Sequence, residues 1–339
     1  MVLVDRADFP GDKTCGSRIS PEGIAQLKDL GVWDEVERHD YWIKGLRRVT
    51  PGDREIFLFG GGTAAAMVCN RRVLDELLLR KAQSLGVRFV PNKIVRSLIE
   101  GEGRVVGFRD DDGDEFRARV VFVADGGHSR LIPERAPRQI LQAIMGWRED
   151  VSFTPNHVEM RFDPNVVSSY GGLFPESATR VNIGTYYRDD EKKLNARKLF
   201  QTVLARQYKQ RLEGARQVGE WKGHPILYSC SIEKLTSPGR MVLGEAGRMT
   251  HPATGEGLYQ GMRSGVFAAE AVKEILMEGA TEKEAFNRYE NCCRRAFQAS
   301  FWGAKAFQKE IGSPALEWAA RAAARPLVKR MAGMLMAEM

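Results

Sequence analysis

The segment 241–265, MVLGEAGRMTHPATGEGLYQGMRSG, constrains the fold most, because it predicts a strand, a tight turn and a long helix that begins with glycines. A glycine-rich helix start leaves backbone N–H groups free, and with the helix dipole these groups favour negative charge. A tight turn before a core helix is the simpler alternative. Apolar residues at helical spacing predict one buried face of this helix: Leu258, Met262, Val266, Ala269, Val272 and Leu276.

The first residues, MVLVDRADFPGDKTCG, predict the second strand of a dinucleotide-binding βαβ unit. Asp5 at the end of that strand could accept hydrogen bonds from a ribose diol, and Arg6 could contact an adenine. We expect the first strand and its glycine loop before Met1. The pattern G-x-G-x-x-A at 60–65 is no substitute, because no helix begins there to present free N–H groups.

Alternating strand and helix signals predict an α/β domain in the first third of the chain. Ser20–Gly31 has the pattern of a capped helix, and a second helix begins at Asn70. Three strand-like runs follow, at Lys93–Leu98, Arg104–Arg109 and Glu115–Val123, and short turns join them into a meander.

The middle of the chain loses this alternation. The runs MGWRED, HVEMRFD, YGGLFPE and TRVNIGTYYR predict antiparallel strands, with one helix at Glu191–Leu212. The predicted fold class is therefore α/β (α+β): a Rossmann-type domain with a three-stranded meander, an antiparallel sheet domain and C-terminal helices. The expected domains are 1–135 with 237–280, then 136–236, then the helical region 281–339.

Composition excludes several classes of protein. The net charge of +7 is spread along the chain without a basic block, which disfavours nucleic-acid binding. No run approaches the roughly 18 apolar residues of a membrane-spanning helix, and no signal peptide is visible. Five scattered cysteines without ligand spacing predict a reduced, cytoplasmic compartment and no metal site.

Two further strand ends carry candidate ligand groups. Asp125 and Gly126 follow the buried run Val120–Ala124, where glycine permits close backbone approach and the carboxylate could reach a cofactor's sugar or pyrophosphate. Gly244 and Glu245 end the later strand, where the carboxylate could hold a ribityl hydroxyl. For the first pair, a plain strand-to-helix turn is an equally good interpretation.

The ordered segments VLVDRADFPGDKTCG, NRRVLDELL, VADGGHSRL, YGGLFP and GEAGRMTHPATGEGLYQGMRSG together resemble the geranylgeranyl reductase family. These are FAD-dependent enzymes of the p-hydroxybenzoate hydroxylase fold. The likeness covers nearly the whole chain and is most specific over 1–16, 120–131 and 241–270. The matched positions are Asp5, Arg6, Phe9, Pro10, Lys13, Cys15, Gly16, Arg71, Leu74, Asp75, Tyr170, Phe174, Pro175, Pro252, Thr254, Gly255, Glu256, Gly257 and Leu258.

The resemblance implies hydride transfer from reduced FAD to a carbon–carbon double bond of an isoprenoid or similar apolar substrate. Tyr170, Gly172 and Phe174 would line the substrate site. Cys15 and Tyr170 are the catalytic candidates, although we expect positioning by Cys15 and aromatic packing by Tyr170. The implied cofactor-binding residues are Asp5, Arg6, Cys15, Gly16, Arg71, Asp125, Gly126, Gly244, Glu245, Pro252, Gly255, Glu256, Gly257 and Leu258.

The chain departs from the family pattern at three places. The first strand and its G-x-G-x-x-G loop are missing, which puts tight FAD binding in doubt. Glu245 stands where the family usually has Asp, so one extra methylene could crowd the ribityl chain. Gly172 stands where the family has Trp, and the loss of about 150–250 Å² of contact surface predicts a wider or differently shaped pocket.

Two alternatives remain open at this point. A flavin monooxygenase or halogenase could use the same fold, and a truncated paralogue could be a non-catalytic binding protein. No separate NAD(P)H domain is visible, so we expect NAD(P)H or another reductant, or an electron-donor protein, to act from outside. Peripheral membrane contact is possible through Phe297, Phe301, Trp302 and Phe307 with the basic residues that follow.

Overall fold

The computed structural model describes residues 1–11, 13–49, 55–59, 66–132, 139–162, 170–189 and 193–310. The G-x-G-x-x-A pattern at 60–65 lies outside them. The helices are α1 (Pro21–Asp29), α2 (Trp33–Val36), α3 (Arg71–Ser84), α4 (Ala196–Gln207), α5 (Leu258–Met277) and α6 (Glu282–Glu310). The strands are β1 (Val2–Val4), β2 (Arg18–Ile19), β3 (Asp40–Ile43), β4 (Gly45–Val49), β5 (Glu55–Phe59), β6 (Ala66–Cys69), β7 (Arg88–Val90), β8 (Val95–Gly101), β9 (Arg104–Asp110), β10 (Glu115–Arg117), β11 (Val121–Val123), β12 (Gln139–Glu149), β13 (His157–Phe162), β14 (Tyr170–Pro175), β15 (Arg180–Tyr187), β16 (Arg216–Tyr228), β17 (Thr236–Ser237) and β18 (Arg240–Val242).

The chain divides into two compact units, and each is discontinuous in sequence. Unit one comprises Met1–Gly11, Asp75–Gln139 and Leu227–Lys305, and the described part of unit two comprises 13–74 and 140–226. The domain limits at 135, 236 and 280 stay predictions, but these compact units group residues 13–74 with the middle of the chain.

Unit one contains three small sheets. Strands β1 and β7 pair in parallel, and β8, β9 and β10 form the expected antiparallel meander. The predicted run Glu115–Val123 is two strands, because its second half leaves the meander. That half, β11, pairs in parallel with β18, and its Val121 and Val123 are buried in the core beneath this pair.

Helices α5 and α6 form the apolar core of unit one with the residues around β18. A capping box opens α6: the Thr281 hydroxyl accepts from the Glu284 N–H at 3.3 Å, and the Glu284 carboxylate accepts from Thr281. Phe297 and Phe301 belong to this core, so they supply no surface for a membrane, whereas Trp302 is 61% exposed. Phe307 lies among the residues whose side chains are outside the described part.

Unit two is built on a seven-stranded sheet in the order β16-β12-β15-β14-β13-β4-β5. The predicted strands at 139–187 pair antiparallel as expected, but the sheet is mixed because β4 joins β13 in parallel. Helix α4 packs through Phe200 and Val203 on one face. Strands β3 and β6 contribute Ile43, Ala66 and Val68 to the apolar cluster on the other face.

The predicted start of the first helix is confirmed, whereas the predicted length of the helix in the middle of the chain is wrong. Ser20 caps α1 and accepts a hydrogen bond from the Gly23 N–H. The helix predicted at 191–212 is shorter, because α4 ends at Gln207 and a 3₁₀ turn follows at Lys209–Leu212. The second predicted helix is α3, which ends at Ser84, so the apolar Leu85 lies beyond it and is 74% exposed.

Within the described residues, no helix combines the length and the apolar character that crossing a membrane requires.

Candidate functional site

Two predicted ligand-bearing strand ends meet in unit one. Because β11 and β18 run parallel, their carboxyl ends lie at the same sheet edge, and the Leu243 N–H donates to the Val123 carbonyl at 2.9 Å. A Cβ added at Gly127 would lie 2.9 Å from Glu245 Oε1. The structure therefore brings the turn at Asp125–Gly127 against Gly244 and Glu245.

The side chain of Glu245, which is one methylene longer than the usual Asp, forms a hydrogen bond to the backbone of β16. Its Oε1 atom accepts a hydrogen bond from the Leu227 N–H at 3.3 Å. The extra methylene, expected from the sequence to crowd a ribityl chain, gives the carboxylate the reach to hold the end of β16. Its predicted role toward a ribityl hydroxyl stays a prediction.

The start of α5 packs directly on the end of β18. Gly244 has φ +53°, and a Cβ there would lie 3.3 Å from the Gly261 Cα. The Gly244 N–H donates to the Ser264 hydroxyl at 3.1 Å, and that hydroxyl donates to the Gly261 carbonyl at 3.0 Å. Because both elements carry small residues here, the backbone at the end of the strand lies in direct contact with the backbone of the helix.

The loop before α5 is closed by its own backbone. The His251 N–H donates to the Glu256 carbonyl at 2.8 Å, and the Gly255 N–H donates to the His251 carbonyl at 2.9 Å. Pro252 is buried beneath the loop. The cap position, Gly257, has no side chain to bond the first-turn N–H groups from Leu258 onward. The predicted glycine-fronted helix start is thus present, and the cap residue makes no side-chain hydrogen bond to it.

Two buried acceptors at this helix start lack a donor within the described structure: Glu256 Oε1 and Gln260 Oε1. Leaving a buried acceptor unsatisfied costs about 1–3 kcal/mol, so such atoms point to a ligand or solvent donor. Sequence reasoning missed Gln260. The available signal was a polar residue in the first turn of a helix whose neighbouring positions are small or apolar.

His251 bonds its own loop through one ring nitrogen and α6 through the other. Nδ1 accepts from the Thr254 N–H at 3.2 Å, so Nε2 carries the proton and lies 3.1 Å from the Ser300 hydroxyl. The ring also stands edge-on to Phe301. Burial lowers the pKa of His251 from 6.5 to about 4, which keeps the imidazole neutral at physiological pH.

We expect acid to destabilise the protein through His251. Its pKa is lower in the folded state, so protonation favours the unfolded state, and the contribution to stability falls as the pH drops from about 6.5 to about 4. Between pH 6.5 and pH 4, the free energy of unfolding measured in urea should fall by about 2 kcal/mol more in the wild type than in His251→Asn, whose side chain cannot titrate. Equal losses in both proteins would contradict the assignment.

Asp5 and Arg6 lie at the end of β1 in the same unit. The Asp5 carboxylate accepts from the Ala7 N–H at 2.8 Å and therefore caps the turn that follows the strand. Arg6 is exposed, and its charge acts on the Asp125 carboxyl. Burial raises the pKa of the Asp125 carboxyl. The hydrogen bond from Ser129 and the positive charge of Arg6 both lower it and offset part of this rise.

The remaining predicted residues belong to unit two. The Cys15 thiol accepts from the Ser17 N–H at 3.3 Å, and the Cys15 carbonyl accepts weakly from the Asn182 amide at 3.4 Å. Gly16 follows it, and Arg71 is the first residue of α3. The residues predicted to bind FAD are therefore divided between the two units. That each of them binds FAD stays a prediction.

An aromatic face surrounds Cys15 and Gly16 within unit two. In the register of β14 and β15, Tyr170 pairs with Tyr186, Gly172 with Gly184, and Phe174 with Asn182. These six residues share one face of the sheet because side chains alternate along each strand. Tyr170, Phe174 and Tyr186 are buried in its apolar cluster.

The space expected beside Gly172 is already filled. A Cβ added at Gly172 would overlap the ring of Phe174, and a Cβ added at Gly16 would lie 3.2 Å from the same ring. The wider pocket is therefore not found at this position, because the ring of Phe174 lies over the bare backbone, and the alternative of a differently shaped pocket stays a prediction.

Comparisons with known proteins agree with this architecture. The family model described as Lycopene cyclase protein matches residues 47–312. Menaquinone reductase of Mycolicibacterium smegmatis is 30% identical over 291 residues, which cover 80% of this chain and 69% of that protein. Digeranylgeranylglycerophospholipid reductase 1 of Methanopyrus kandleri is 27% identical over 323 residues, which cover 89% of this chain and 81% of that protein.

A solved structure shares the fold. The geranylgeranyl bacteriochlorophyll reductase-like protein of Thermoplasma acidophilum superposes with a TM-score of 0.83 at 19% identity, covering 92% of this chain and 81% of that one. The family model matches most of the chain, and the relatives are reductases. The chain therefore belongs to the family that the lycopene cyclase protein model describes, and it is an FAD-dependent oxidoreductase of the geranylgeranyl reductase family.

Proposed function

We propose that this chain reduces a carbon–carbon double bond of an isoprenoid or similar apolar substrate. The observation that carries the proposal is the junction of the Asp125 turn, the end of β18 and the uncapped start of α5. Its relatives include a digeranylgeranylglycerophospholipid reductase, which supports a lipid substrate for this chain.

The residues of this junction fit FAD. Glu256 Oε1 and Gln260 Oε1 are buried acceptors that need donors, and FAD carries hydroxyl and imide donors. The glycine-fronted start of α5 would stabilise negative charge at the pyrimidine end of its ring system through the helix dipole. Bound FAD, once reduced by an external donor, would supply the hydride to one carbon of the double bond, and a proton from solvent would complete the other. The chain would supply orientation and charge stabilisation.

The two buried acceptors give a binding test of this fit. Gln260→Leu should weaken FAD binding about tenfold, because it removes a hydrogen-bond acceptor worth about 1–1.5 kcal/mol. Glu256→Gln keeps one acceptor oxygen and should weaken FAD binding by a smaller factor than Gln260→Leu does. The control is Glu270→Gln, the same change as at Glu256, made at an exposed position on α5. Quenching of flavin fluorescence measures the Kd. Equal affinities in all four proteins would remove these residues from the FAD site.

The aromatic face of unit two is our candidate for the substrate side. Tyr170 and Phe174 lie within an apolar cluster that suits a hydrocarbon chain better than a charged group. Cys15 borders that face, and its thiol accepts a backbone N–H. We propose that Cys15 positions the substrate rather than attacking it, since no side-chain base bonds the thiol among the contacts described.

Anaerobic turnover tests the reaction. With FAD and dithionite, the protein should reduce the double bonds of a prenyl substrate. Mass spectrometry of the product should then show a gain of two hydrogen atoms for each double bond reduced. The same assay with NADH, NADPH or a reducing protein identifies the external electron donor. Cys15→Ala should lower kcat/KM by about tenfold as a positioning residue, whereas loss of a covalent nucleophile costs far more. In a parallel aerobic assay, substrate-dependent oxygen uptake with no reduction of the double bond would favour a monooxygenase instead.

A further inference from the structure

We propose that the ring of Tyr186 is a specificity-determining element that limits how long an apolar chain the aromatic face accepts. This inference rests on the proposed function in one respect only: it takes the aromatic face to be the substrate side. Sequence reasoning did not single out Tyr186.

The centre of this face has two glycines, one on β14 and one on β15, and the ring of Phe174 covers the glycine on β14. Gly172 and Gly184 are paired across the two strands, so two positions that face the apolar cluster carry only backbone. A Cβ at Gly184 would contact Met145 Cβ at 3.3 Å and Tyr186 at 3.5 Å. The shape of the face is therefore set by the rings that flank the glycine pair.

Tyr186 occupies the flank beside Cys15 and Gly16. Its ring stacks on Tyr170 with centroids 4.7 Å apart and meets Phe174 edge-on at 6.5 Å. Its hydroxyl lies 3.1 Å from the position that a Cβ at Gly16 would take. The ring thus fills the space between Tyr170 and the Cys15–Gly16 backbone.

Burial supports a steric role for this side chain. Tyr186 is 6% exposed, and burial, then Tyr170 and then Cys15 raise the pKa of its hydroxyl well above 10. The hydroxyl therefore stays protonated, and the side chain behaves as a neutral, rigid ring at any working pH. A ligand chain that extends past Cys15 along this face would meet that ring.

Shortening the side chain should open room beside Gly16. One methylene in an apolar site changes discrimination by about 10- to 200-fold, so replacing a ring should produce an easily measured change. We expect Tyr186→Leu to favour a long prenyl alcohol over a short one by about tenfold or more relative to wild type. Tyr186→Phe, which keeps the ring, should leave this ratio within about twofold.

The experiment measures Kd for geraniol and geranylgeraniol by calorimetry, using the full chain. Tyr187→Leu is the matched control, because Tyr187 is the next residue on β15 and packs in the cluster on the opposite face of the sheet. Its ratio of the two Kd values should equal that of wild type. Tyr186→Trp adds bulk at the same place and should shift the ratio in the opposite direction, which also serves if Tyr186→Leu fails to fold.

The outcomes separate this inference from the proposed function. A wild type that binds both alcohols, with a ratio unchanged in Tyr186→Leu and Tyr186→Trp, overturns the inference and leaves the proposed function standing. A ratio that changes equally in Tyr186→Phe assigns the effect to the hydroxyl and also overturns it. A wild type that binds neither alcohol overturns both this inference and the apolar substrate side of the proposed function.

Discussion

Replacing Glu290 with alanine should lower the free energy of unfolding by about 3 kcal/mol. Glu290 is 7% exposed, and its Oε1 atom accepts from the Leu235 N–H at 2.9 Å and from the N–H and hydroxyl of Thr236 at 3.0 and 2.8 Å. Its other oxygen accepts from Arg294 at 2.9 Å. Removal of this carboxylate leaves several partly or fully buried donors unsatisfied at the junction of α6 and β17.

Urea unfolding followed by circular dichroism measures this loss. Glu290→Gln keeps one acceptor oxygen and should lose less stability than the alanine variant. The control is Glu274→Ala, because Glu274 pairs with the exposed Arg288 and such pairs contribute about 1 kcal/mol or less. If Glu290→Ala and Glu274→Ala lose the same stability, α6 is not anchored through Glu290.

Gly244→Ala should weaken FAD binding by about 100-fold. The residue has φ +53°, which costs a side chain about 1–2 kcal/mol, and its new Cβ would press on the Gly261 Cα at 3.3 Å. The strand end would then move away from the start of α5, where the proposed FAD contacts converge. A loss of this size corresponds to about 2.7 kcal/mol of binding free energy.

Gly265→Ala is the matched control on α5. A Cβ at Gly265 contacts only Leu243 Cδ2, at 4.0 Å, so the substitution fits, and alanine favours a helix interior over glycine. Its FAD affinity should equal that of wild type. Fluorescence titration of both variants checks the pair, and an unchanged Kd in Gly244→Ala would show that the close approach of β18 to α5 does not matter for FAD.

Much of unit one could be predicted because its signals are local. The Thr281–Glu284 capping box depends on residues within one turn of each other. The predicted buried face of α5 is wrong, because Ala269 and Leu276 are exposed and the buried residues are Gln260, Ser264, Phe267, Ala268 and Ala271. The side of α5 that packs on the end of β18 carries small and polar residues such as Ser264, which a pattern of large apolar residues does not detect. The sequence marks both strand ends, but that Asp125 and Gly244 meet depends on the parallel pairing of β11 with β18, which only the structure shows.

The sheet of unit two could not be predicted in full because its decisive pairing is distant in sequence. Strand β4 joins β13 across more than a hundred residues, and no local pattern specifies that partner or its parallel direction. The space beside Gly172 was misjudged for a related reason. Glycine at one position indicates lost volume, but the rotamer of Phe174 decides whether that volume is empty.

Residues whose role depends on burial could not be identified from the sequence either. Gln260 is an ordinary polar residue in the printed chain, and only the packed structure shows its carbonyl oxygen buried without a donor. Tyr186 is one of two adjacent tyrosines, and only the register of β15 assigns one to each face of the sheet.

Calorimetric titration with FAD tests the central claim most directly, namely that the end of β18 and the start of α5 together hold this cofactor. The account predicts that the wild type binds FAD with a Kd of about 1 μM or tighter, that Gly244→Ala loses about 100-fold, and that Gly265→Ala loses nothing. Absence of binding in the wild type, or equal affinity in all three proteins, would contradict it.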